Sequence, residues 1–172
     1  KFEATVRCCT QNGIRGGSAT VHFPIWHQEI QDIIVLKNNK GTEDNRVRKL
    51  DYSIQLSKIF YERFIQNKEI TLFSPHDVPN LYESFGTESF DELYVEYEND
   101  ESIPKTTMSA QELILALLKE RAETGRLYLM NIDHCNSHSS FTDKVEMSNL
   151  CQEITLPTKP IQHIDDKTGE IA

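Results

Sequence analysis

With 172 residues the chain is long enough to bury a substantial core, since chains of this size remove roughly two thirds of their unfolded surface from water. Its 27 acidic against 18 basic side chains give a net charge of −9, which argues against general binding to nucleic-acid polymers or anionic membranes, because both rely on positive fields. The longest aliphatic run, Leu113 to Leu118, falls far short of the roughly 20 residues that span a bilayer, so no transmembrane segment is expected.

The four cysteines, at 8, 9, 135 and 151, form neither a CxxC pair nor a dense framework of the secreted kind, and are read as reduced thiols of a cytoplasmic protein. The start at Lys1 and the stop at Ala172, after a turn-like Asp165–Gly169, are read as cuts within a longer protein.

In chain order, Phe2, Ala4 and Val6 share one face of a helix end or a short strand. Residues 8–18 form a loop, because Gly13, Gly16 and Gly17 remove the side-chain barrier to positive φ. A strand over Ala19–Phe23 stops at Pro24. Ile30, Ile33 and Ile34 recur at helical spacing and predict a helix over Ile25–Leu36, closed by the cations and glycine of Lys37–Gly41. A second helix is predicted over about Asp51–Ile65, burying Ile54, Ile59, Phe60 and Phe64.

Ile70–Phe73 reads as a short buried strand, and Asp77 as the cap of helical material that runs from Pro79 to about Tyr97 with a break at Gly86. The acidic run Glu96–Glu101 reads as a solvated helix end or loop. Ser109-Ala110-Gln111-Glu112 is a capping box opening a helix that stops at Gly125, and Leu127–Met130 is the next strand. Strands alternating with helices predict an α/β architecture with a largely parallel sheet or barrel. Functional loops then gather at the carboxyl ends of strands, which places the polar segment Asn131–His138 on the functional face.

Three stretches carry candidate chemistry. If Ser148–Ile154 is extended, alternation puts Asn149, Cys151 and Glu153 on one face, an amide, a thiol and a carboxylate about 7 Å apart in succession. A buried half-strand with an inert cysteine is the competing reading. The loop Gln11–Gly17 has neither a P-loop ending nor a GxGxxG fingerprint, yet Gln11 can donate to and accept from a base edge and Arg15 offers a planar fork; a purely structural turn is the alternative. His134, Cys135 and His138 are zinc-ligand types, but their spacing fits no closed four-ligand set, and no metal ligands are assigned.

Asn149-Leu150-Cys151-Gln152-Glu153, preceded by Asp133–His138 and followed by Leu156-Pro157-Thr158-Lys159-Pro160, closely resembles the catalytic subunit of class I ribonucleotide reductases. Leu36–Asn39, Asn45–Arg48 and Leu72–Pro79 resemble the same family in the same order, so the likeness covers essentially the whole chain. It implies part of a ten-stranded α/β barrel whose active cysteine sits on an inner finger loop, here about residues 148–154. It also implies roles: Cys151 as the transient thiyl radical that abstracts the ribose 3′ hydrogen, Glu153 as the base for the 3′-hydroxyl, and Asn149 as a hydrogen-bond partner of the sugar.

Residues 9–18 resemble the family's specificity loop, with Gln11 and Arg15 between effector and substrate base and Gly13, Gly16 and Gly17 giving the loop its freedom. The implied partners are a metal-containing, radical-generating small subunit, a second copy of the large subunit, thioredoxin or glutaredoxin as reductant, and ATP or deoxynucleotide effectors, with no cofactor bound directly by these residues. The product is deoxyribonucleoside diphosphate for DNA synthesis. The family's two reducing cysteines match none of Cys8, Cys9 and Cys135, so the chain is expected to be inactive alone; a non-catalytic nucleotide-binding piece of a split subunit is the alternative.

Overall fold

The computed structural model describes residues 1–125 and 127–158. The turn-like Asp165–Gly169 and the Lys159-Pro160 end of the last motif lie outside the described residues. Helix α1 (Phe2–Cys8) leads into a hairpin of β1 (Thr10–Gln11) and β2 (Arg15–Gly16), then β3 (Thr20–Pro24) and a short α2 (Ile30–Ile34). There follow β4 (Asp51–Leu56), α3 (Lys58–Ile65), β5 (Glu69–Phe73), α4 (Pro79–Ser84) and α5 (Phe90–Asn99). The described part is completed by β6 (Lys105–Ser109), α6 (Ala110–Thr124), β7 (Leu127–Asn131) and α7 (Ile132–Ser137).

The mixed α/β class is as expected, while the strands fall into three sheets and form no closed barrel among the described residues. Parallel strands run in the order β3-β4-β7, β5 pairs antiparallel with β6, and β1 pairs antiparallel with β2. The loop after β3 ties the first two sheets together: Gln28 N–H donates to the Phe73 carbonyl at 2.8 Å and Phe73 N–H to the Trp26 carbonyl at 2.9 Å.

Several predicted elements are corrected. Asp51–Leu56 is not helix but the central strand β4, and helix begins only at Lys58. Tyr52, Ile54 and Leu56 carry the period of two that identifies a strand. Ser53 and Gln55 on its other face are also buried, which masks the alternation expected of a half-exposed strand. The helix expected over Ile25–Leu36 shrinks to Ile30–Ile34, because Ile25 and Trp26 enter the core from a turn hydrogen-bonded to the neighbouring sheet. Its C-cap is Val35, so Lys37–Gly41 does not close it. Asp77 does not cap α4, whose N-cap is Val78 with no side-chain cap bond; Pro at the first helical position needs no donor partner there. Strand β6 was not foreseen, and Glu98 of the acidic run is largely buried against Arg63.

Helix α6 follows the expectation at both ends. Glu112 N–H donates to Ser109 Oγ at 3.4 Å, and Gly125 adopts the left-handed conformation that ends the helix. Its apolar face, Leu113, Ile114 and Leu117, joins one core with Ile54 of β4 and Ile70 of β5. An aromatic cluster anchors that core: Trp26 meets Phe85 edge-on at 5.8 Å, and Phe60 meets Tyr94 edge-on at 5.4 Å. Such pairs add about 1 kcal/mol each beyond the area they bury.

Candidate functional site

The parallel sheet presents two unlike faces. Register places Thr20, His22 and Pro24 of β3 beside Asp51, Ser53 and Gln55 of β4, and the latter two beside Tyr128 and Met130 of β7. Paired residues of parallel strands project to the same side, so this face is mainly polar while Phe23, Ile54 and Leu127 turn to the other. Buried polar groups require partners. Residues 145–154 supply them by running across this face.

The docking begins where Asn136 of α7 brackets Val145, its Nδ2 donating to the Val145 carbonyl at 3.0 Å and its Oδ1 accepting from Val145 N–H at 2.7 Å. Gln55 Nε2 then donates to the Glu146 carbonyl at 2.5 Å. Thr20 Oγ1 donates to the Leu150 carbonyl at 2.6 Å, and Gln152 Nε2 donates to Ser53 Oγ. His22 lies beside the Ser148 backbone, but both ring nitrogens are buried without a partner of hydrogen-bond geometry.

At the end of this track the chain turns. Gln152 N–H donates to the Asn149 carbonyl at 3.3 Å, Asn149 N–H to the Ile154 carbonyl at 3.3 Å, and Ile154 N–H to Asn149 Oδ1 at 3.0 Å. Gln152 takes a φ of 64°. A left-handed residue breaks strict alternation, so the extended segment with Asn149, Cys151 and Glu153 on one face is replaced by a closed turn with Cys151 near its tip. Cys151 and Glu153 are exposed and Asn149 is half-buried. A buried half-strand with an inert cysteine is therefore not what forms. Asn149 Oδ1 is committed to closing the turn, which leaves its Nδ2 as the donor toward a ligand.

The second candidate, residues 8–18, forms a hairpin rather than an irregular loop. Gln11 faces Arg15 as a cross-strand pair. Ile14 N–H donates to the Gln11 carbonyl at 3.0 Å, with Asn12 and Gly13 both at positive φ (52° and 72°). Asn-Gly is the pair best suited to two successive positive φ values in a hairpin turn. Gly16 ends β2 in open space, whereas a side chain at Gly17 would overlap the Val6 and Cys9 carbonyls. Gly17→Ala is accordingly expected to push the hairpin off the end of α1 and to raise amide exchange across Thr10–Gly16; unchanged exchange there would show that the close approach is not needed.

The structure brings the two candidates together. A cleft of about 370 Å3 is lined by Cys9, Gln11, Arg15, Gly16 and Gly17 on the hairpin side and by Leu150 of the turn on the other. On the opposite flank, Gln152 and Ser148 border a second cleft of about 550 Å3 with Met130, Asn131, His134 and His138. Segment 131–138 thus does reach the neighbourhood of the turn from the carboxyl end of β7. Burial and the neighbouring Asp133 push the Cys135 thiol above its ordinary range, favouring the protonated form. Among the described residues, no group of three or more His, Cys, Asp or Glu side chains is arranged to hold a metal.

Thr20, His22, Ser53 and Gln55 were missed by sequence reasoning. The signal available was the alternation of β4, obscured by assigning Asp51–Leu56 to a helix. His22 makes a pH dependence visible. Burial holds its imidazole below the ordinary value of about 6.5, opposed only in part by the Ser148 backbone. Since the unfolded chain binds this proton more readily, the neutral ring's contribution is fully present above about pH 6.5 and declines as pH falls below it toward the folded value. The denaturant midpoint is expected to drop between about pH 7.5 and pH 5.5, and to drop less in His22→Phe. An equal drop in the two proteins would show that His22 is not the group responsible.

Residues 1–165 match the family model of the ribonucleotide reductase barrel domain. The chain belongs to this reductase family. The alpha subunit of ribonucleoside-diphosphate reductase from Haemophilus influenzae is 56% identical, over 99% of this chain and 23% of that protein. The alpha subunit of ribonucleoside-diphosphate reductase 1 from Escherichia coli is 50% identical over 93% of the chain and 22% of its own length, and the alpha subunit of ribonucleoside-diphosphate reductase from Enterobacteria phage T4 is 44% identical over 98% and 23%. The chain therefore spans about a quarter of the length of these reductase relatives. No helix of the described part is long and apolar enough to cross a membrane.

Proposed function

We infer that this chain forms part of the catalytic barrel of a class I ribonucleotide reductase large subunit and carries the turn on which ribonucleoside diphosphates are reduced to deoxyribonucleoside diphosphates. The observation that carries the reading is the match of residues 1–165 to the reductase barrel domain, with Asn149, Cys151 and Glu153 gathered in one docked turn. The ten-stranded barrel and its inner finger are the form this turn and sheet would take in the whole subunit.

In this reading a radical arrives at Cys151 from a separate, metal-containing small subunit. The sulfur radical takes the ribose 3′ hydrogen atom, forming an S–H bond and leaving the unpaired electron on the sugar carbon. Glu153, exposed two residues on, accepts the proton of the 3′-hydroxyl as the base. Asn149 Nδ2 remains available to a sugar oxygen while Oδ1 holds the turn. A thiol suits the first step because it is oxidised to a neutral radical without having to ionise.

That Gln11 and Arg15 line one cleft with Leu150 supports a role for the hairpin in passing the identity of an ATP or deoxynucleotide effector to the substrate beside the turn. A second large subunit and thioredoxin or glutaredoxin complete the assembly, acting through parts of the protein beyond these residues. The test is deoxynucleotide formation by a complete large subunit carrying these 172 residues together with its radical-generating partner. Loss of product in Cys151→Ser supports the reading, and retained product would overturn it.

A further inference from the structure

We propose that Thr20 and Ser53 are positioning residues for Cys151: two hydroxyls on the polar face of the sheet that pin the residues on either side of the thiol and so fix where it stands. This rests on the reading that Cys151 is the reacting group. The Thr20 hydroxyl holds the carbonyl of Leu150 at 2.6 Å, immediately before Cys151, and the Ser53 hydroxyl holds the side-chain amide of Gln152, immediately after it. Ser53 is 0% exposed and Gln152 is half-buried, so solvent competes poorly for this second contact.

The anchors are spaced for the purpose. Ser53 lies opposite His22 in the register, two residues along from Thr20 and one strand across, which sets the hydroxyl-bearing positions roughly 8 Å apart on one face. Three consecutive residues bridge that interval, and the middle one is Cys151. The turn itself is closed by a separate set of bonds between Asn149, Gln152 and Ile154. Thr20 and Ser53 take no part in closing it. Their removal is therefore expected to leave the turn formed but free to shift against the sheet.

Such a shift matters because a displacement of about 1 Å between reacting groups can cost about a hundredfold in rate. In the complete subunit assayed with its radical-generating partner, Thr20→Val and Ser53→Ala are each expected to lower kcat about 10- to 100-fold with KM for the nucleoside diphosphate nearly unchanged. Thr20→Ser, which keeps the hydroxyl, should recover most of the rate. Independently of turnover, the rate at which iodoacetamide alkylates Cys151, followed by mass spectrometry of its peptide, should change at least about threefold in Thr20→Val and Ser53→Ala. Alkylation of half-buried Cys135 should stay constant, showing that the fold is kept.

Gln152→Leu should have little further effect in a Ser53→Ala background, because the two residues act through one contact. Unaltered kcat and Cys151 alkylation in both single variants would overturn the proposal, as would a Thr20→Ser variant as impaired as Thr20→Val. If Cys151→Ser proved active, the catalytic reading of the turn would fall, and the alkylation rates would still decide whether Thr20 and Ser53 set the position of the thiol.

Discussion

Cys151→Ser in a complete large subunit is expected to lower deoxynucleotide formation by more than about 10,000-fold, corresponding to over about 5 kcal/mol of lost transition-state stabilisation. The size of the effect follows from the chemistry asked of the sulfur. A serine hydroxyl has nearly the same shape but holds its hydrogen far more firmly, so it neither receives a radical from a partner nor returns a hydrogen to the sugar on useful terms. The substitution should not disturb the surroundings. The turn is closed by backbone groups and by Asn149, and it is docked through Leu150 and Gln152, none of which involves the thiol. Nucleotide binding by the variant, measured at equilibrium, is therefore expected to match the parent while product formation vanishes. Cys135→Ser provides the contrast. That thiol is half-buried and held protonated by its surroundings, and its replacement should change turnover less than about threefold.

How far the sequence anticipated this arrangement differs from element to element, for identifiable reasons. Helix α6 was legible at both ends because its capping serine and terminal glycine act locally, through bonds within one turn of the residues that make them. Strand β4 was not, because Ile54, Ile59, Phe60 and Phe64 imitate a helical stripe when strand and helix are read as one segment. Only tertiary structure reveals that Ser53 and Gln55 are buried as well, under residues 145–154. At the candidate site the residue types and their motif were legible, and their geometry was not. Alternation from Asn149 to Glu153 fails at Gln152, whose positive φ belongs to a turn closed by the Asn149 bonds, which are not written in local propensity. The family resemblance named the candidates, but the sheet face against which their turn docks came only with the fold.

Glu98→Ala is expected to destabilise the fold by about 3–5 kcal/mol, the largest effect on stability foreseen for a polar residue here. Glu98 forms a two-pronged ion pair with Arg63, and both side chains are 15% exposed. Its Oε1 also accepts from Thr71 Oγ1 at 2.6 Å, while the Tyr94 hydroxyl donates to the Thr71 carbonyl at 2.7 Å and accepts from Thr71 N–H at 2.8 Å. Arg63 in turn stacks over the Tyr94 ring at 5.0 Å. Burial alone would lower the Arg63 pKa, yet the hydrogen bonds from Arg63 to Glu98 and the surrounding negative charge outweigh it and raise the value, so the guanidinium stays charged. Removing the carboxylate would strand that charge between α3, α5 and β5. The cost would come from the unpaired cation rather than from the lost attraction, and this distinction can be measured. Arg63→Met combined with Glu98→Leu removes both charges and is expected to recover most of the stability lost in Glu98→Ala. Trp26 lies in the same aromatic cluster, stacked with Phe90 at 6.5 Å, so its fluorescence in a denaturant titration reports the loss and recovery of this packing. A double variant no more stable than Glu98→Ala would mean that the pair contributes through its attraction after all, and that a stranded Arg63 cation is not what weakens the single variant.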